Sequence, residues 1–462
     1  YNLSARHLDK LCERVDTFSV SGDGERLVVR HRDDTIVVPS SHKVDDDDPA
    51  YIRVDLTRLR RTVNPRAEWR QMFDENGRLM ASHYWREDMN GVDWDSVLNR
   101  YRPLVDLCHV VDDLHDILWE TVAELNTSHS YVSASGAAGD SDMRAGLLGA
   151  DVSSGNDGAK VVRVIPGESS DPRAWSPLRA AGVAVTEGDV IVAVDGRKVG
   201  ADGNLGELLE GSAGRVVELT VRRGENERQV AVVPMADEAP LRYHDWVASR
   251  RRYVEEHSGG RLGYLHVPDM VSDGWAELHR QIGEATRHEG VIADVRFNHG
   301  GHTSQLVVER LARRVVGWDY SRWYATADTY PQNAVRGPIV MVTNQWAGSD
   351  GDIVAAATQA MGYAKVIGER SWGGVVGIDG RFDLVDGTSV TQPRYAGWYG
   401  SYGWGVENHG VDPDIVVTVS PEDWEADCDV QLDAAIAECL RQLDDKPAAT
   451  APELPGPAFD RC

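Results

Sequence analysis

Cysteine is scarce. The 462 residues include five, Cys12, Cys108, Cys428, Cys439 and Cys462, an odd number with no CxxC pair. That scatter argues against a disulfide framework and a zinc knuckle, and it reads as reduced thiols in a cytoplasmic protein. Long apolar runs are also missing. None approaches the ~20 residues of a membrane span, so no membrane role is expected. No signal peptide is visible in the sequence, and the chain, which opens on Tyr1, is read as the C-terminal piece of a longer protein. Positive charge is short as well: 48 Lys and Arg stand against 74 Asp and Glu, a net charge of −26. That balance disfavours a nucleic-acid partner and docking on anionic lipid. No metal constellation is visible. His299 and His302 flank a glycine turn, but two histidines without a third ligand make a poor zinc site. No metal and no cofactor are expected.

Apolar material is ample. Hydrophobic residues make up 42% of the chain, enough for about three domains of roughly 150 residues. Residues 1–60 read as strand, turn, strand. Phe18 to Gly24 leads into Arg26 to Arg30, and Asp33-Asp34 turns into Thr35 to Val38. Asp-Gly between alternating apolar residues is a hairpin signal. The spacing resembles one β-propeller blade, here the last, with earlier blades missing; a free-standing hairpin cap is the plainer alternative. Residues 61–140 read as helical. Val111, Leu114, Ile117, Leu118, Val122 and Leu125 recur at helical spacing. Their helix should end near Asn126 and deliver Thr127-Ser128-His129-Ser130-Tyr131 just past its C-terminus.

Residues 145–240 are a unit of short strands. Gly188-Asp189-Val190-Ile191-Val192-Ala193-Val194-Asp195-Gly196 makes this unit resemble a PDZ domain, a peptide-binding module or an internal spacer. From 241 to 440 strands alternate with helices, as in an α/β sheet. Val291 to Phe297 is a largely apolar run and Pro338 to Thr343 a second, both suited to buried parallel strands. The first ends at Asn298-His299-Gly300-Gly301, with a helical pattern through Val316. The second feeds Asn344-Gln345-Trp346-Ala347-Gly348-Ser349-Asp350-Gly351 and a helix from Asp352 to Met361. Residues 441–462, with many Pro and Ala, read as a disordered tail.

Ser349 is the most suggestive residue. It lies between a strand's C-terminal end and a helix N-terminus, where the N–H groups favour a developing oxyanion. The Asp350 N–H is the natural first donor, and the Gly300-Gly301 turn the second. A plain N-cap serine explains Ser349 equally well. A serine nucleophile needs a base, and His129 is a candidate. Glu407, in a glycine-flanked loop, is a candidate to orient it, though a surface acid is the plainer reading.

In this order, a blade, a helical segment ending in Thr-Ser-His-Ser-Tyr, a PDZ-like unit and an α/β unit with Gly-Ser-Asp-Gly-Asp resemble the C-terminal half of the tricorn protease family. The resemblance implies a multidomain α+β protein: a β-propeller remnant, a helical segment carrying the catalytic histidine, a PDZ-like domain and an α/β, crotonase-like serine peptidase domain. It implies Ser349 as nucleophile, His129 as base, and Ser128 relaying a hydrogen bond from Glu407. Asp350 and one of Gly300 or Gly301 would form the oxyanion hole. Asp319 is the acid matched to the substrate pocket. Peptide substrates downstream of the proteasome and a homohexamer are implied too. The α/β unit also resembles C-terminal processing peptidases with a Ser-Lys dyad, but Gly374 stands where their lysine would be. Lys365 is the remaining lysine candidate. A peptide-binding module without catalysis is the other alternative.

Overall fold

A computed structural model describes residues 6–32, 34–60, 62–134, 143–200 and 204–454. Asp33 of the expected turn, the 135–140 end of the helical segment and the last eight residues of the expected tail lie outside that set. Two compact units divide the chain, residues 1–68 and 69–462.

In the first unit, β1 (Thr17–Val20), β2 (Arg26–His31), β3 (Asp34–Pro39) and β4 (Ile52–Val54) pair in chain order as an antiparallel meander. Asp23 and Gly24 make the first turn. Gly24 takes φ 76°, and the Asp23 carboxylate accepts from Ser21 Oγ and the Glu25 N–H. Val29 and Val38 are buried, while Phe18, Val20, Val28 and Ile52 stay exposed.

The helical segment comprises α1 (Pro65–His83), α2 (Trp94–Val105) and α3 (Val111–Ala123). Leu114, Leu118, Val122 and Leu125 of the expected stripe are buried, together with Met72, Phe73 and Met80. A short strand, β5 (Val132–Ser133), follows. Next come β6 (Ala150–Gly155), β7 (Gly158–Val164), β8 (Val190–Val194), β9 (Arg197–Lys198), α4 (Leu205–Leu208), β10 (Val217–Arg223) and β11 (Asn226–Val232). Their sheet order is β11-β10-β8-β7-β6, with β9 paired to β8. Asp195 at φ 48° and Gly196 at φ 73° form the β8–β9 turn, the positive-φ pair that a two-residue hairpin favours.

The α/β unit opens with α5 (Ala239–His257), β12 (Leu262–His266), α6 (Ser272–Ala285), β13 (Gly290–Asp294) and α7 (Ser304–Leu311). A hairpin, β14 (Gly317–Asp319) and β15 (Asp328–Tyr330), leads to β16 (Ile339–Thr343), α8 (Asp350–Met361) and β17 (Ala364–Gly368). Short strands β18 (Gly377–Asp379), β19 (Ser389–Val390), β20 (Gln392–Tyr395) and β21 (Ile415–Val416) follow, then α9 (Pro421–Glu425) and α10 (Val430–Asp445). Strands β12-β13-β16-β17-β21 form one parallel sheet. Every residue of β12, β13 and β16 is buried, so both faces carry apolar side chains. Val291, Ala293 and Met341 pack with α6, α7 and α8. Ile292, Val340 and Val342 pack with α5 and α10. The C-terminal ends of β13 and β16 are thereby fixed side by side.

Two expectations change. The helix after Gly301 stops at Leu311 and does not reach Val316. Val315 and Val316 are β-branched and Gly317 follows, so extended pairing wins, and the Val316 N–H donates to Tyr330 O at 2.8 Å. The expected disordered tail from 441 is ordered at its start. Helix α10 continues to Asp445 because Leu443 packs into the core, and beyond it the Ala449 N–H donates to Arg336 O at 2.8 Å.

Candidate active site

Helix α8 starts from a strained corner. Ser349 takes φ 58° and ψ −119° at the N-cap, a conformation costing about 1–3 kcal/mol in a residue with a side chain. Its hydroxyl makes no capping hydrogen bond, so N-capping does not account for it. The Asp350 N–H lies in the first turn, where backbone donors lack intrahelical acceptors. The Asp350 carboxylate points elsewhere, accepting from Ser304 N–H at 3.0 Å and Ser304 Oγ at 2.8 Å. It ties the Ser349 corner to the start of α7, and burial pushes its pKa up.

The glycine turn after β13 lies against this corner. A Cβ on Gly300 would stand 2.5 Å from Ser349 Cβ, so no larger residue fits beside the hydroxyl. Asn298, fully buried, joins the two turns. Its backbone O accepts from Gly348 N–H at 2.9 Å, its Oδ1 accepts from Gly300 N–H at 2.9 Å, and its Nδ2 donates to Val267 O at 2.8 Å. The Gly300 donor is therefore occupied. Among the described residues no acceptor takes the Gly301 N–H.

His129 arrives from the other side. Buried Leu125 anchors the exit of α3, and the chain then joins β5, which pairs with β19. Thr391 Oγ1 donates to His129 O and accepts from Tyr131 N–H, both at 2.7 Å. The Asn408 Nδ2 donates to Asn126 O at 2.7 Å, drawing the Glu407 loop alongside. Glu407 Oε1 accepts the Ser128 N–H at 2.8 Å, and Oε2 accepts Ser128 Oγ at 3.1 Å and the Val375 and Val376 N–H groups at 2.8 and 2.9 Å. Ser128 Oγ lies 3.2 Å from His129 Nδ1. Ser128 has one O–H. Given to Glu407, it leaves the oxygen to accept from Nδ1–H, which puts the free lone pair on Nε2. Burial lowers the His129 pKa below its ordinary 6.5, and the Glu407 charge opposes that shift. A backbone hydrogen bond with Val376 opposes it as well, and the net shift favours the neutral ring, the form able to take a proton.

Ser349, Asp350, Gly300, Gly301 and His129 line one open cavity of about 1050 Å³, ample for a stretch of peptide. Among the described residues no hydrogen bond joins the His129 ring to Ser349 Oγ, a spacing common in sites that tighten around substrate. Trp372 packs edge-on to His129 at 5.7 Å and walls the cavity.

Asp319 is not brought to this cavity. It sits exposed at the end of β14, across from Asp328 on the paired strand β15. Lys365 is equally remote. It projects from β17 to Asp414, 3.6 Å away, with half its side chain exposed. At Gly374 a Cβ would lie 2.2 Å from Trp372, so a lysine has no room there. Asn298, Asp352 and Trp372 carry much of the geometry yet lacked a distinguishing signal. Among the described residues no group of three or more His, Cys, Asp or Glu side chains could hold a metal, and no helix is long and apolar enough to cross a membrane.

Comparison with known proteins gives three family matches: Peptidase family S41 over residues 261–417, the tricorn protease PDZ domain over 146–237, and the tricorn protease C1 domain over 65–123. The chain is 56% identical over 460 residues to tricorn protease homolog 1 of Streptomyces coelicolor, covering 98% of this chain and 43% of that protein. It is 35% identical over 444 residues to the tricorn protease of Thermoplasma acidophilum, covering 96% of this chain and 41% of that one. A crystal structure of the tricorn protease superposes with TM-score 0.86 at 34% identity, over 93% of this chain and 42% of that chain. The chain thus spans less than half the length of these relatives.

Proposed function

The chain belongs to the tricorn protease family, and from that premise we propose that it is a serine endopeptidase of tricorn type acting on short peptides. One observation carries the reading: a strained serine with an uncommitted hydroxyl shares a cavity with a histidine joined through Ser128 to Glu407. Ser349 Oγ attacks the scissile carbonyl while His129 Nε2 takes its proton. The oxyanion settles between the Asp350 N–H and the Gly301 N–H. Gly301 is preferred over Gly300, whose N–H is already held by Asn298. The imidazolium then protonates the departing amine. Water, deprotonated by the same ring, releases the acyl group and restores Ser349.

The test is turnover of a fluorogenic peptide ending in Arg or Phe. Saturable release of the fluorophore supports the reading. Binding without release overturns it in favour of a peptide-holding module. Family resemblance also supports a cytoplasmic homohexamer that trims peptides released by the proteasome. Light scattering on the purified chain tests the assembly.

Ser128→Ala separates orientation from catalysis. It removes the link between Glu407 and the imidazole but keeps the base. The loss of one hydrogen bond to a charged group, about 1.5–3 kcal/mol, corresponds to roughly a 10- to 10²-fold fall in kcat. A fall as large as that of His129→Ala means that Ser128 is not a relay.

A further inference from the structure

Asp352 is fully buried, and the steps above do not use it. It sits in the first turn of α8, three residues past Ser349. Its Oδ1 accepts from Ser371 Oγ and from the Gly373 N–H at 2.8 Å, and its Oδ2 from the Gly374 N–H at 3.3 Å. The Ser349 backbone N–H adds to the same carboxylate. Each of these donors leads to a part of the site. Trp372, between Ser371 and Gly373, stands edge-on to the His129 ring at 5.7 Å and 87°. The next two N–H groups along the loop, of Val375 and Val376, hold Glu407 Oε2. Ser371 Oγ accepts from the Val411 N–H at 2.8 Å, and the Asn408 N–H donates to Gly373 O at 2.7 Å. Both bonds hold the Glu407 loop, at residues one and four positions past the carboxylate.

We propose that Asp352 is a positioning residue, a clasp that holds the 371–376 loop against the Ser349 corner and so sets the His129 ring and the Glu407 carboxylate relative to the hydroxyl. Its kinetic readout rests on the peptidase reading; its spectroscopic readout does not. The clasp needs an acceptor on both oxygens, which only the ionised acid supplies. Burial raises the Asp352 pKa to about 6, against hydrogen bonds from Ser371, Gly373, Gly374 and Ser349 that lower it. Its titratable neighbours are Tyr399, from the loop over the cavity, whose hydroxyl feels its charge, and Asp350 on its own helix, whose carboxylate is turned to Ser304. Protonation below about pH 6 turns one acceptor into a donor aimed at other donors and loosens the loop.

Asp352→Asn keeps the volume and imposes that state at every pH. Small misplacements of reacting groups cost about 10²-fold, so kcat should fall by that order with KM little changed. The acid limb of kcat/KM, steep in the wild type because His129 and Asp352 both protonate, should lose one of its two ionisations. The His129 imidazole resonances, assigned by comparison with His129→Gln, should titrate closer to the ordinary 6.5 as water enters past Trp372. Wild-type kcat, an unchanged acid limb and an unmoved His129 titration in Asp352→Asn overturn the proposal. Should that variant fail to fold, Ser371→Ala removes one donor only, and a smaller change of the same kind in the same readouts decides. Should the wild type cut no peptide, the peptidase reading falls, and the His129 titration alone judges the clasp.

Discussion

Ser349→Ala lowers kcat/KM on a fluorogenic peptide by on the order of 10⁵-fold or more, with the fold intact. The size of the loss follows from the chemistry: without Oγ there is no nucleophile, and the oxyanion donors alone retain only a small part of the rate. The intact fold follows from the geometry. The hydroxyl makes no cap hydrogen bond, and the Asp352 carboxylate holds the start of α8 through Ser371, Gly373 and Gly374. Alanine meets the same φ of 58° that serine already tolerates, so a melting temperature within about 2–4 °C of wild type is expected. A fluorophosphonate should add a single adduct, on the peptide holding Ser349, and none to the alanine variant. Labelling at another residue, or retained cleavage in Ser349→Ala, removes Ser349 from the mechanism.

Much of this arrangement was legible because local pattern and tertiary role coincide. The largely apolar runs at 291–295 and 338–342 have the length and composition of strands buried on both faces, and β13 and β16 lie inside the sheet. The 3.6-residue stripe ending at Leu125 put His129 just past a helix end, where α3 delivers it. Parts that depend on distant partners were not legible. Asp352 bonds a loop 19 residues on, and nothing near it in the chain distinguishes that task from helix capping. Asn298 acts through Gly348, 50 residues later. The end of α7 depends on Tyr330 offering a carbonyl to Val316, and the order after 441 depends on Leu443 meeting a core built from α5, β12 and β16. The resemblance matches Asp319 to the substrate pocket, and Asp319 is not among the residues that line the Ser349 cavity.

His129→Ala should match Ser349→Ala within about tenfold, since nucleophile and base act as one unit and their losses do not add. Lys365→Ala should stay within about twofold of wild type, as expected for an exposed residue whose ion pair contributes little. These outcomes separate a histidine base from a lysine base. Their pH dependence separates them further. Only the neutral imidazole accepts a proton from Ser349. Burial beneath Trp372 and Tyr131 lowers the His129 pKa from 6.5, so the competent form persists as pH drops through 6.5 and is lost only below it. A lysine base would need deprotonation of a group that ordinarily titrates near 10, and activity would then rise through the alkaline range. Exposed Lys365, bridged to Asp414, is not among the residues lining the cavity that holds Ser349. Activity already at its plateau at pH 7, an acid limb below 6.5 and indifference to Lys365→Ala together identify the imidazole as base. An alkaline rise that disappears in Lys365→Ala transfers that role to the lysine.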